Sequence, residues 1–142
     1  MRRPLRRPMQ LGLVLATMVL ASATAARAAD CLNTAADQLS LSQCAAANLQ
    51  KADATLNLLY GRVANRLDDQ AKKQLLVASQ RAWLLFRDAE CAFVASAAEG
   101  GSVQPMVRAQ CLTEATRKRI GDFEQYLTCA EGDLACPVPP AR

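Results

Sequence analysis

The stretch LSQCAAANLQKADATLNLLYGRVANRL, residues 41–67, decides the fold. Its residues Ala45, Leu49, Ala52, Leu56, Leu59 and Val63 recur at alternating steps of four and three, which places them along one side of an α-helix. At a rise of about 1.5 Å per residue this helix spans about 40 Å. Ser40 and Gln43 read as a capping box at its start, with Leu39 and Cys44 as the flanking hydrophobic staple.

Downstream the same period continues. After a short connection capped by Asp68 and Asp69, Leu76, Trp83, Phe86 and Val94 carry a second helical stripe to about Ala98, which runs back along the first. Glu99-Gly100-Gly101-Ser102 breaks it: the glycines permit positive φ, Ser102 offers a cap, and Pro105 is tolerated in a first helical turn. From Met106 the spacing resumes through Ala109, Thr113, Thr116, Ile120, Phe123 and Leu127. The tail from Thr128 to Arg142 contains Gly132, Pro137, Pro139 and Pro140 and cannot continue the helix. The expected architecture is all-α: an antiparallel three-helix bundle stapled by disulfides, with an extended N-terminal segment and an extended C-terminal tail.

Upstream, Arg2, Arg3, Arg6 and Arg7 precede an apolar run from Leu11 to Ala21 that is too short to span a bilayer, and Ala26-Arg27-Ala28 supplies a small-x-small cleavage pattern. Residues 1–29 therefore read as an export signal, 30–128 as one helical domain and 129–142 as a Pro-rich tail. The surroundings of the arginines lack a twin-arginine consensus, which favours general secretion. Cys31 invites comparison with an acylated cysteine, but Asp30 before it and the lack of a leucine three residues back argue against a lipid anchor. The mature protein is expected in the periplasm or outside the cell, with no stable membrane anchor.

Cleavage alters the charge. The formal +4 comes from 17 basic and 13 acidic residues; without Arg2, Arg3, Arg6, Arg7 and Arg27, 12 basic residues face 13 acidic ones, a net −1. No basic stripe remains, so nucleic acid is not an expected partner. An aromatic content of 4% with abundant alanine and leucine fits helices rather than a β-sandwich.

Six cysteines, Cys31, Cys44, Cys91, Cys111, Cys129 and Cys136, accompany no histidine at all. In an oxidising compartment this even count reads as a disulfide framework, which removes the thiols from nucleophilic or metal-binding use. Without histidine the usual neutral-pH proton shuttle is missing as well. Cys91 lies nine residues before Gly100 and Cys111 ten after Gly101, so they sit at similar depth, and Cys44 is near the same end. Two of these three are expected to pair, and the third to hold Cys31, while Cys129 and Cys136 close a local loop. Asp68 with Asp69, and Asp88 with Glu90, are close acidic pairs, and such spacings do not face one site on a helix. No nucleophile elbow, phosphate loop or zinc spacing occurs. Catalytic residues, metals and cofactors are not expected, and a hydrolase would need a carboxylate pair from different helices.

Gln80, Trp83, Arg87 and Cys91 follow one another on one face of the second helix. Together with Lys51-Ala52-Asp53, Leu56 to Tyr60, Gly100-Gly101-Ser102, Cys111-Leu112 and Thr116-Arg117, the sequence from Cys31 to about Leu127 resembles the lysozyme inhibitor LprI-like family of small secreted bacterial proteins. The resemblance implies an all-helical fold and, as in a minority of members, inhibition of lysozyme. Cys31, Cys44, Cys91 and Cys111 belong to the shared pattern, whereas Cys129 and Cys136 lie beyond its usual end.

Within that pattern Trp83 is expected in the core and Arg87 half-buried against a carboxylate such as Asp53 or Glu114. Thr116 lies in the seam, and Arg117 belongs to the run Arg117-Lys118-Arg119, read as a solvated face that suits the C-terminal half of a helix. These motif residues are read as structural. The expected partner contact is Gly100, Gly101 and Ser102 with Arg108, where small residues bring a backbone close to a cleft; a capped turn accounts for the same three residues without a partner. Two functions follow: a secreted binding protein that occludes the active-site cleft of lysozyme, or a periplasmic structural or envelope-stress interaction module that does not touch it.

Overall fold

The computed structural model describes residues 31–140. The segment read as an export signal, 1–29, lies outside the described residues. Three long helices follow one another: α1 (Gln38–Arg66), α2 (Gln70–Ser96) and α3 (Gln104–Leu127). No strand occurs among the described residues.

Three local signals differ from expectation. Residues 31–34 form a helical turn rather than an extended segment, with the Ala35 amide donating to the Cys31 carbonyl at 3.1 Å. The cap of α1 is Asp37, whose carboxylate accepts from the Ser40 amide at 2.7 Å and from the Ser40 hydroxyl. A carboxylate is attracted to the positive helix start as well as hydrogen-bonding there, so it takes the cap from Ser40, and with Leu39 and Gln43 exposed the predicted box and staple do not form. These bonds from Ser40 hold the Asp37 carboxyl below its ordinary value. At α3 the cap is Val103 rather than Ser102; no side chain bonds there, and Pro105 stands in the first turn. Asp69 does cap α2, accepting from the Ala71 amide at 2.7 Å.

The helix directions are those of a bundle. Gln38 reaches Met106 and Arg66 reaches the Leu127 carbonyl, so α1 and α3 run parallel. Cys91 is bonded to Cys111, and Arg119 reaches back to Ser79 and Gln80, so α2 runs antiparallel to α3. The backbones of α1 and α3 pack most closely, because Ala45, Ala52, Ala109, Thr113 and Thr116 are small and buried between them. α2 stands off from α1 and reaches it through longer side chains such as Arg87.

The core is uneven along its length. At the end near the α1–α2 connection, Leu56, Leu59, Val63, Leu67, Leu76 and Phe123 form an apolar cluster, with Tyr60 and Tyr126 tilted against the Phe123 ring at 6.1 and 6.2 Å. Toward the other end small residues and disulfides replace large ones. Cys31 pairs with Cys44 and Cys91 with Cys111, one of the arrangements that depth along the hairpin left open, and Cys129 pairs with Cys136. Phe86 and Val94, expected in the second stripe, are 64% and 40% exposed: the buried positions of α2 are Leu76, Cys91 and Ala95, and Phe86 lies round the helix from that line. The tail is irregular, yet it folds back until Val138 joins the apolar cluster.

Candidate functional site

Two places gather the residues singled out in the sequence. The first is a polar seam where all three helices meet. Leu56 and Leu59 keep α1 turned inward, which aims Asp53 one turn earlier at α2; there Arg87 Nη1 donates to Asp53 Oδ1 at 3.0 Å and to Thr116 Oγ1 of α3 at 3.1 Å. Arg87 Nε also donates to Asp88 at 3.0 Å, and its guanidinium lies over the Trp83 ring, 5.2 Å from the centroid. Its side chain is 11% exposed and that of Asp53 40%. Thr116 is fully buried, and Trp83 is half-buried against the apolar cluster. Asp53 is thus the carboxylate that meets Arg87, rather than Glu114, which is exposed.

One turn along α3, Arg119 forms a second node that sequence reasoning missed. The run Arg117-Lys118-Arg119 does not form one solvated face: Arg117 and Lys118 are exposed, but Arg119 is buried. Arg119 donates to Gln80 at 3.2 Å, Ser79 at 2.9 Å and Asp122 at 3.2 Å, and it covers the Phe123 ring at 4.7 Å. The signal was its spacing, three residues after Thr116 and four before Phe123, which places it in the seam; three adjacent cations obscured it.

Beside this seam a cleft of about 270 Å³ opens between α1 and α2, lined by Asp53, Asn57, Tyr60, Gln80, Leu84 and Arg87. Its charged groups are already paired with each other, so the seam holds helices in register and offers no free carboxylate pair for acid–base work.

The second place is the α2–α3 tip. Gly100, with φ 76°, takes the left-handed conformation that a side chain would strain. The Gly101 amide donates to the Ala98 carbonyl at 3.0 Å, and a Cβ at Gly101 would come within 3.2 Å of that oxygen. Gly100, Gly101 and Ser102 are all exposed. Behind them Glu99, Gln104, Pro105 and the exposed Arg108 border a hollow of about 420 Å³. The Cys91–Cys111 bond ties both arms of this hairpin below the tip. The structure thus sets Gly100, Gly101 and Ser102 at the tip with Arg108 behind them at the start of α3, all apart from the seam of Trp83, Arg87 and Thr116.

Among the described residues no helix is long and apolar enough to cross a membrane. No solved structure matches the chain significantly. An uncharacterized protein of Rhizobium meliloti (strain 1021) is 33% identical over 114 residues, covering 72% of this chain and 81% of that protein. The family model described as Lysozyme inhibitor LprI matches residues 29–123, which takes in both the seam and the tip and stops before Cys129. With more than half of its length matched in this way, the chain belongs to the LprI lysozyme inhibitor family.

Proposed function

We propose that this protein acts in the periplasm or outside the cell as an inhibitor that occludes the active-site cleft of lysozyme with its α2–α3 tip. The observation that carries the reading is the form of that tip. Gly100, Gly101 and Ser102 make a narrow exposed turn at the end of a hairpin cross-linked by Cys91 and Cys111. Small residues let a backbone enter a groove closely, and a preorganised loop loses little entropy when it does so. Arg108 stands behind the turn as an exposed cation, suited to the paired carboxylates with which glycosidases work. The paired charges of the seam supply rigidity, not chemistry, so inhibition proceeds by binding without turnover.

The test is a titration of oxidised protein into a lysozyme-driven clearing assay on a cell-wall suspension. Clearing should slow at near-stoichiometric dose, and Ser102→Arg with Arg108→Glu should raise the required dose about tenfold or more, the scale of one lost anchor contact. Circular dichroism should show unchanged helicity in that variant. Undiminished clearing at large excess of the wild-type protein removes the reading.

A further inference from the structure

Among the described residues, one side of α2 is left without a partner. Its inward side holds Leu76, Cys91 and Ala95, whereas Leu75, Leu85, Phe86 and Phe93 on the outward side are 70%, 75%, 64% and 75% exposed. These four side chains alone expose on the order of 500 Å² in one stripe, the size of the largest apolar patch on a monomer, which often marks an interaction site. Ala78, Ala82, Ala89 and Ala92 lie between them and are exposed too. Leu75, Ala78, Ala82, Leu85, Ala89 and Ala92 follow steps of three and four throughout, the a and d positions of a heptad, with Phe86 and Phe93 beside them.

The geometry points to a second copy of this chain as the occupant, with two α2 helices packed antiparallel about a two-fold axis level with Trp83 and Leu84. In that register Leu75 of one copy meets Ala92 of the other, Ala78 meets Ala89, and Ala82 meets Leu85. Each large residue thus faces a small one, and the helices approach closely without leaving voids. With the phenylalanines covering the edge, the paired contact is on the order of 1,200 Å², the lower end of what specific complexes bury.

Charge selects both the orientation and the kind of partner. Lys72, Lys73 and Arg81 lie in the first half of α2, and Asp88 and Glu90 in the second. Arg87, the exception, is turned inward onto Asp53. Parallel pairing would set like charges together, whereas antiparallel pairing sets basic halves against acidic ones. Arg81 and Asp88 are both exposed on one edge of the apolar stripe, so each meets its counterpart on the other copy, twice by symmetry. The same acidic residues oppose an anionic lipid surface. The pairing also leaves the two α2–α3 tips at opposite ends, about 50 Å apart at 1.5 Å per residue, and it does not depend on what those tips bind.

Sedimentation equilibrium of the oxidised protein tests this. The weight-average mass should rise toward twice the chain mass as concentration increases to about 1 mM, and Leu85→Glu with Phe93→Glu should hold it at the monomer value. Both positions are exposed, and unchanged helicity in that variant confirms that the fold is intact. Arg81→Glu alone and Asp88→Lys alone should each weaken association about tenfold through two symmetric pairs, and Arg81→Glu with Asp88→Lys should restore it. The Arg87–Asp88 bond within the chain is lost in both Asp88 variants, so rescue reports the contact between copies. A monomer at every concentration overturns the proposal, as does association that survives the Leu85 and Phe93 changes, or charge reversal without rescue. Monomers that instead adsorb to phosphatidylethanolamine–phosphatidylglycerol vesicles through this face overturn it in favour of a membrane.

Discussion

Arg87 does more than neutralise Asp53, because its single guanidinium holds a carboxylate of α1, a hydroxyl of α3 and a carboxylate of α2 while resting on Trp83. Removing a buried member of such a network leaves its partners unpaired in a poorly solvated seam. Asp53 retains 40% exposure and recovers part of its hydration, which places the loss below that of a fully buried pair. Arg87→Ala should therefore destabilise by about 2 kcal/mol in urea unfolding, and Arg87→Lys by about 1, since lysine keeps the charge but not the planar fork that serves three partners. Equal losses for the two variants would mean that the charge alone contributes nothing and that the guanidinium's planar shape, its fork and its seat over Trp83, accounts for the effect. Arg87 itself was legible in the sequence, because it stands one turn from both Trp83 and Cys91. Arg119 was not: the pattern of a cationic run is the same whether all its members are solvated or one turns inward to meet Gln80 and Ser79.

The same contrast governs the elements. Periodicity placed all three helices, because the small and apolar positions of α1 and α3 that produce the spacing are the ones that pack. On α2 it placed Leu76 and Trp83 inward but wrongly added Phe86 and Val94, because Leu75, Phe86 and Phe93 give a second apolar side and hydrophobicity alone does not say which side meets the core. Caps depend on a contest between neighbouring acceptors, and Asp37 wins over Ser40 at α1 because it carries charge. That cap makes the start of α1 sensitive to acid. The Asp37 carboxyl is lowered from 3.8 first by the Ser40 hydroxyl and then by the Ser40 amide, so the folded state favours the ionised form. Its contribution is complete above the unfolded value, and is lost as the pH falls from near 3.8 through the lowered folded value. Thermal melts should show Asp37→Ala below wild type at neutral pH, with the difference closing in acid. Asp37→Asn, which caps without titrating, should keep its margin over Asp37→Ala throughout.

At the scale of the whole molecule, the apolar cluster is closed by residues beyond the family match, which ends at residue 123. Val138 is 3% exposed within that cluster, and Arg66 at the end of α1 donates to the Leu127 carbonyl at 2.7 Å and to the Pro139 carbonyl, holding the tail against both helices. Proline and glycine content in the sequence correctly denied this segment a helix, but composition does not report where an irregular chain docks. A hollow of about 330 Å³ lined by Leu67, Leu75, Leu76, Tyr126, Pro137 and Val138 marks the joint, where Val138 is seated against the apolar cluster. Val138→Ala should then cost about 2 kcal/mol, combining lost transfer energy with an enlarged cavity. Leu134, in the same tail inside the Cys129–Cys136 loop but 101% exposed, supplies the internal comparison: Leu134→Ala should stay within about 0.5 kcal/mol of wild type. Denaturant unfolding of the two variants separates a tail that completes the core from one that merely follows it. Equal, negligible effects at both positions would detach residues 129–142 from the folding unit, whereas loss confined to Val138 makes the base of the bundle a property of this chain's own extension.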